Sequence, residues 1–237
     1  MCGQGTDFDL SRQQPAAGPF GWPDRYDSFA YPQRGNAATG AQETFRRFER
    51  PIGVHRMPYS YVGEPSSTAD RPHILHYAAH ASLSSVYLPV LCEADSTCPV
   101  PLASGSMRVI DRSVAYWTFR TVRHSARGLV WDRCLQMIRQ RQVAWESKAT
   151  AILDGSHRGN RRAEASQRVT SQVLDNHARA VVADWWAMLD EMLVRFGDGY
   201  EFAWADDGAP LCKPVAYPTE WLEAVADWEP LQNDITE

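Results

Sequence analysis

Lysine is nearly missing from this chain: two Lys stand against 22 Arg. Arginine favours planar, bidentate carboxylate binding. The plainer cause, which we adopt, is the nucleotide composition of the gene. An excess of positive charge is missing too, with a formal net charge of −5 and a pI near 5.8. That argues against nucleic acid or an anionic membrane as partner, since both call for a positive field. No apolar run approaches the ~20 residues of a membrane span. The start, Met1 to Leu10, has neither the basic nor the apolar stretch of a secretory signal. The expectation is a soluble, cytoplasmic protein. Cysteine is scarce and odd in number: Cys2, Cys92, Cys98, Cys134 and Cys212. A disulfide scaffold is therefore not expected, and a reducing compartment fits better. The G-x-S-x-G, Walker and G-x-G-x-x-G patterns are all absent. No cofactor is expected.

What is present is ordinary globular composition. The chain has 237 residues, 44% hydrophobic and 22% charged, which excludes wholesale disorder. This length allows a single domain burying roughly 70–75% of its unfolded surface. Nine Trp read mostly as core anchors, because each buries a large area. Residues 1–40 combine Gly and Pro with Phe8, Phe20, Trp22, Tyr26, Phe29 and Tyr31. They read as an irregular loop packed on a core. Residues 50–92 read as antiparallel strands in three runs: Ile52 to Val62, broken by Pro58; Ile74 to Ala78; and Ser85 to Leu91. Pro89 inside the third run points to a sheet edge or a bulge.

From residue 111 the period becomes helical. Asp111 or Ser113 is placed to cap a helix through Val114, Trp117 and Val122. A second helix is expected over Asp132–Leu153, with Gly155 marking its end. Between Arg161 and Phe196 there is no Gly or Pro. Ala165, Val169, Val173, Ala180, Trp185, Met188, Met192 and Phe196 recur at near-helical spacing. This third helix would span on the order of 50 Å at ~1.5 Å per residue. Gly197 and Gly199 stop it. Gly199 to Trp204 reads as a closing strand. The tail, 205–237, carries four prolines and reads as ending in a short helix over Pro218–Trp228.

Few constellations carry chemistry by spacing. His73, His76 and His80 would share one face of a helix and invite a metal. In β-rich sequence His73 and His76 point to opposite faces, so no metal site is expected. Cys92 and Cys98 lack a second pair for a zinc cage. Asp184, Asp190, Glu191 and Arg195 read as solvated helix faces, with Glu191 and Arg195 an i,i+4 pair. Cys2 is the sharper candidate. Without the initiator Met it would begin the chain, and its own α-amine could shuttle the proton of a thiolate nucleophile. Yet such a nucleophile opens a strand, and Gly3-Gln4-Gly5-Thr6-Asp7 does not read as one.

Five stretches, taken in order, do resemble a known family. They begin with Gly5-Thr6-Asp7-Phe8-Asp9-Leu10, then Ala16-Ala17-Gly18-Pro19-Phe20-Gly21 and Arg25. Glu49-Arg50-Pro51-Ile52-Gly53-Val54 follows, with Tyr59-Ser60-Tyr61-Val62. Ser84-Ser85-Val86-Tyr87-Leu88-Pro89-Val90 is third. Arg112-Ser113-Val114-Ala115-Tyr116-Trp117-Thr118-Phe119-Arg120 is fourth, and Arg195-Phe196-Gly197-Asp198-Gly199-Tyr200 closes the set. Together they are similar to the C-terminal half of the dipeptidase/secernin family, cysteine hydrolases of the N-terminal-nucleophile superfamily.

The resemblance implies an α+β fold, part of an αββα sandwich, with strands in 50–92 and long helices over 111–196. It also implies metal-free hydrolysis of dipeptides or short peptides by an N-terminal cysteine. One departure bears on the site. The family's nucleophile opens a strand motif close to C-T-T-x-x-V-G, which nothing here matches, so Cys2 does not inherit the role by position. Arg50 or Arg56 could hold a carboxylate or lower a thiol pKa. A missing N-terminal half, or self-association through an uncovered sheet face, is the expected partner. The alternative is a non-catalytic, secernin-like interaction module that docks through its long helix.

Overall fold

The computed structural model describes residues 57–68, 72–126, 130–157 and 164–216, the side chains of 156–157 and 164–169 excepted. The loop 1–40, the run Ile52 to Val54 and the proposed tail helix lie outside the described residues. Within them the chain is an α+β arrangement with two antiparallel sheets.

The first sheet holds β1 (Tyr59–Glu64), β2 (Ile74–Ala79) and β3 (Leu88–Leu91) in that order. Tyr59 pairs with Ala79 and Glu64 with Ile74, while Ile74 also faces Leu91. As expected, Pro89 sits on a strand that is at the sheet edge among the described residues, opposite His76, where the missing N–H costs least. The third run starts later than its residues suggest. Ser84 and Ser85 are held in a turn, where the Ser85 hydroxyl donates to the carbonyls of Ala79 (2.7 Å) and Ala81 (2.8 Å). Local side-chain bonds of this kind compete with strand pairing.

Four helices follow: α1 (Val100–Ala103), α2 (Ala115–Ser125), α3 (Trp131–His157) and α4 (Glu164–Arg195). The short α1, begun after Pro99, has no counterpart in the sequence reading. Neither Asp111 nor Ser113 caps α2; Val114 stands at that position without a side-chain cap. The Asp111 carboxylate instead accepts the Ser113 amide (2.8 Å) and hydroxyl (2.6 Å), closing the turn before the helix. Gly155 does not end α3, which continues through it to His157. A mid-helix Gly costs only about 1 kcal/mol, which a 27-residue helix absorbs.

At ~1.5 Å per residue, α4 is about 48 Å long. Its buried stripe is Leu174, Ala178, Val181, Trp185, Met188 and Met192, in alternating steps of four and three. Val173 and Ala180, expected on that stripe, are exposed. Each lies one position N-terminal to a stripe residue, about 100° round the helix. Trp185 is fully buried edge-on against Phe119 of α2, 5.6 Å between ring centroids. Its indole donates to the Ser84 carbonyl at 3.0 Å. One side chain thus joins α4, α2 and the bend between β2 and β3. The apolar stripe is buried in this core.

The second sheet grows from the end of α4. It comprises β4 (Phe196–Gly197), β5 (Tyr200–Trp204) and β6 (Pro210–Pro214). Asp198 (φ +53°) and Gly199 (φ +83°) form the two-residue link, and Asp-Gly suits the mirror-image turn that twisted hairpins prefer. The expected closing strand is therefore present. The sequence reading missed β6, because prolines at both ends mimic a loop. The first sheet packs along α4 from Leu174 to Trp185, and the second extends from Arg195. No helix among the described residues is long and apolar enough to cross a membrane.

Candidate functional site on the first sheet

Strand alternation places Ser60, Val62 and Glu64 on one face of the sheet, beside Ile74, His76 and Ala78. Helix α3 covers the β3 side of that face. Its contact stripe changes character along its length. Gln142 donates to the carbonyls of Ser85 (2.6 Å) and Ser82 (3.1 Å). One turn on, Glu146 Oε1 accepts the Tyr87 amide at 3.2 Å. Further on, Leu153 packs on Ile74 and Leu91. The polar end faces irregular backbone that needs partners, and the apolar end faces strand already paired.

The β1 side of the face stays open, and Val62 is exposed there. On this ledge His76 Nε2 lies 3.0 Å from Glu64 Oε2. Glu146 stands on the other side, close enough for the charge of His76 to act on it. Burial pushes the Glu146 carboxyl up, while the Tyr87 amide and His76 pull it down; the net direction is up. Across the buried Ala78, the Tyr87 hydroxyl lies 3.0 Å from Ser60 Oγ.

The ledge therefore gathers an imidazole, two carboxylates and two hydroxyls on one face of the sheet. Among the described residues no nucleophile is assembled there, because Ser60 is hydrogen-bonded to Tyr87 and not to His76.

Compared with family models, with curated proteins and with solved structures, the chain matches none.

The residues singled out from sequence are not gathered on this ledge. Cys2, Arg50 and Arg56 lie outside the described residues. The three histidines have separate surroundings. His73 is exposed before β2 and accepts the Ser66 amide at Nδ1, 3.0 Å away. His80 is buried with φ +71°, its ring 5.6 Å from that of Tyr116. Among the described residues no three His, Cys, Asp or Glu groups could hold a metal ion. Cys92, Cys98 and Cys212 are exposed free thiols, and Cys134 is buried. Burial pushes the Cys134 thiol up to about 12 against the opposing pull of Arg195 and Arg133.

The carboxylates of α4 are not simply solvated. Arg141 of α3 reaches Glu191 at 2.7 Å and Asp184 at 3.5 Å, and Trp145 donates to Asp184 at 2.7 Å. Glu191 therefore pairs across the helices. Arg195 instead binds Glu201 of β5 at 2.8 Å. The i,i+4 pair is outcompeted because each partner meets an opposite charge on a neighbouring element.

Ser60, Glu64, Tyr87 and Glu146 escaped the sequence reading as site residues. Period-two alternation carried the signal for Ser60 and Glu64. Nothing in the sequence brings Glu146, on a distant helix, to them.

Proposed function

We propose that this chain is the C-terminal part of a cysteine-type dipeptidase of the N-terminal-nucleophile class, with its nucleophile on a strand of Cys-Thr-Thr type. The reaction is amide hydrolysis through a thioester. A thiolate attacks the scissile carbonyl, the amine leaves, and water hydrolyses the acyl-enzyme. The observation that supports this reading is the use made of the fourth of the stretches that resemble the family. Phe119 enters the core against Trp185, Trp117 donates to the Ser106 carbonyl at 2.7 Å, and Arg120 lies over Trp117 at 5.1 Å. The residues that resemble the family are those the turn and α2 depend on. The αββα sandwich belongs to the same proposal: β1–β3 would supply part of one layer and α3 and α4 the helices over it. Arg50 or Arg56 is proposed to hold the substrate carboxylate or to lower the thiol pKa.

The test is hydrolysis of a dipeptide panel by this chain and by the product of a reading frame extended upstream of Met1. The chain alone is expected to be inert. An extension that begins Cys-Thr-Thr is expected to hydrolyse dipeptides and to lose activity when that Cys becomes Ala. Hydrolysis by this chain alone, abolished in Cys2→Ala, would assign the nucleophile to Cys2 instead.

A second reading, an interaction module without chemistry, is favoured by the loop before α2. Met107, Val109 and Ile110 are exposed there, on a loop fastened by Trp117 at Ser106 and by the Asp111 turn. No hydrolysis in either form, with binding of a protein partner lost in Val109→Asp, would favour it.

A further inference from the structure

His177 is buried in the seam between α3 and α4, and its Nε2 has no hydrogen-bond partner. Its ring meets Trp145 of α3 edge-on, 5.4 Å between centroids. The Lys148 ammonium lies 3.9 Å from the centre of the same Trp145 ring. One and a half turns earlier on α4, the Ser171 hydroxyl is also buried without a partner. Buried polar atoms are nearly always paired in folded proteins. Two bare ones on one helix make this stretch the weakly satisfied part of the interface.

We propose that His177 is a pH-operated latch between α3 and α4: neutral, it holds the seam shut, and protonated, it opens it. The charges around it support this. From α3 comes Lys148, of the wrong sign to receive an imidazolium. On that seam Asp184 already receives Trp145 at 2.7 Å and Arg141 at 3.5 Å and stands two turns away along α4, and Glu146 of α3 already accepts the Tyr87 amide at 3.2 Å. Asp175, on His177's own helix, is held by Arg179 (2.7 Å) and the Val100 amide (2.7 Å). The packed elements α1, Val100–Ala103, and β3, Leu88–Leu91, carry no titratable side chain, and α2 carries Tyr116, Arg120, Arg123 and His124 but no carboxylate. A proton on His177 therefore places a second positive charge beside Lys148 with no acceptor ready, in a site that disfavours charge. Burial first, and Lys148 second, hold the imidazole below its ordinary range. Opening would free Trp145 and the α3 turns around it, with the polar contacts of Glu146 one residue away.

The experiment is amide hydrogen exchange across residues 142–153 of the full chain at several pH values, beside an NMR titration of the His177 ring. Protection in that stretch is expected to fall about tenfold between about pH 7.5 and pH 5, more than in α2. The His177 midpoint is expected below 6.5. In Lys148→Gln that midpoint, and the loss of protection with it, should move to higher pH. In His177→Leu the fall in protection toward acid pH should be lost. Constant protection in the native chain, an unshifted midpoint in Lys148→Gln, or an equal loss in His177→Leu would each overturn the latch. The ring titration and the Lys148 variant decide the matter even where His177→Leu does not fold.

Discussion

The Gln142 side-chain nitrogen lies 2.6 Å from the Ser85 carbonyl oxygen. A single amide of α3 thereby supports the irregular backbone that carries the chain from β2 into β3. That bend cannot satisfy its own carbonyls by strand pairing, so a helix residue does it. The position of Tyr87, and with it the ledge around His76, depends on this support.

Replacing Gln142 by Leu should therefore destabilise the fold. The variant leaves the Ser85 carbonyl short of its side-chain donor, at a cost of about 1–3 kcal/mol. Urea unfolding should show a lower midpoint with an unchanged slope. The exposed neighbour Gln140, changed to Leu, should stay within about 0.5 kcal/mol of the native chain. Equal effects at both positions would contradict the account of the bend.

Trp185 joins three elements, so its truncation should be among the costliest in the chain. Trp185→Ala is expected to lose about 3–5 kcal/mol through the cavity and the unpaired Ser84 carbonyl. Trp204, which is 55% exposed, should tolerate the same change with a shift near zero. Thermal unfolding of the two variants side by side checks the ranking.

These two tryptophans also show how far the sequence could be read. The spacing of Trp185, Met188 and Met192 marked the buried face of α4, because a long helix without Gly or Pro has only its period to express. The same reading misplaced Val173 and Ala180, since residues one step apart on a helix differ by about 100°. Strand runs were legible where β-branched and aromatic residues clustered, but the start of β3 was not. Ser84 and Ser85 bond locally, and no pattern announces that. The site was less legible still. His76 and Glu64 meet by strand register, and Glu146 reaches them by tertiary packing of α3, neither of which is written in local order.

The ionisation of Glu146 makes the stability of the fold depend on pH. Burial raises its folded-state value above the ordinary 4.5. The folded chain therefore binds this proton more tightly than the unfolded chain. The stabilising contribution is fully present below pH 4.5 and is lost as pH rises through the raised folded value. Glu146→Gln keeps an acceptor for the Tyr87 amide and removes the ionisation. Relative to the native chain, the variant should gain stability between acid and neutral pH. Urea midpoints of both proteins at about pH 4 and pH 7 test this; a difference independent of pH would show that Glu146 ionises at no cost.

The thiols connect structure to function most directly. Cys92 and Cys212 are exposed, and no disulfide ties the four described cysteines. Partial burial of its sulfur raises the Cys98 thiol, and fuller burial takes Cys134 to about 12. The thiolate is the reacting form. With a disulfide reagent near neutral pH, Cys92 and Cys212 should therefore react first and Cys98 more slowly. Cys134 should react only when the chain unfolds. That leaves Cys2 as the informative residue. A catalytic N-terminal cysteine would react faster than Cys92 at mildly acid pH, because an activated thiol keeps thiolate where an ordinary one is protonated. We expect Cys2 to track Cys92 instead, since its flanking sequence lacks the Cys-Thr-Thr start. Mass mapping of the labelled peptides over a pH series separates the outcomes. A fast, acid-tolerant Cys2 would move the peptidase chemistry onto this chain itself.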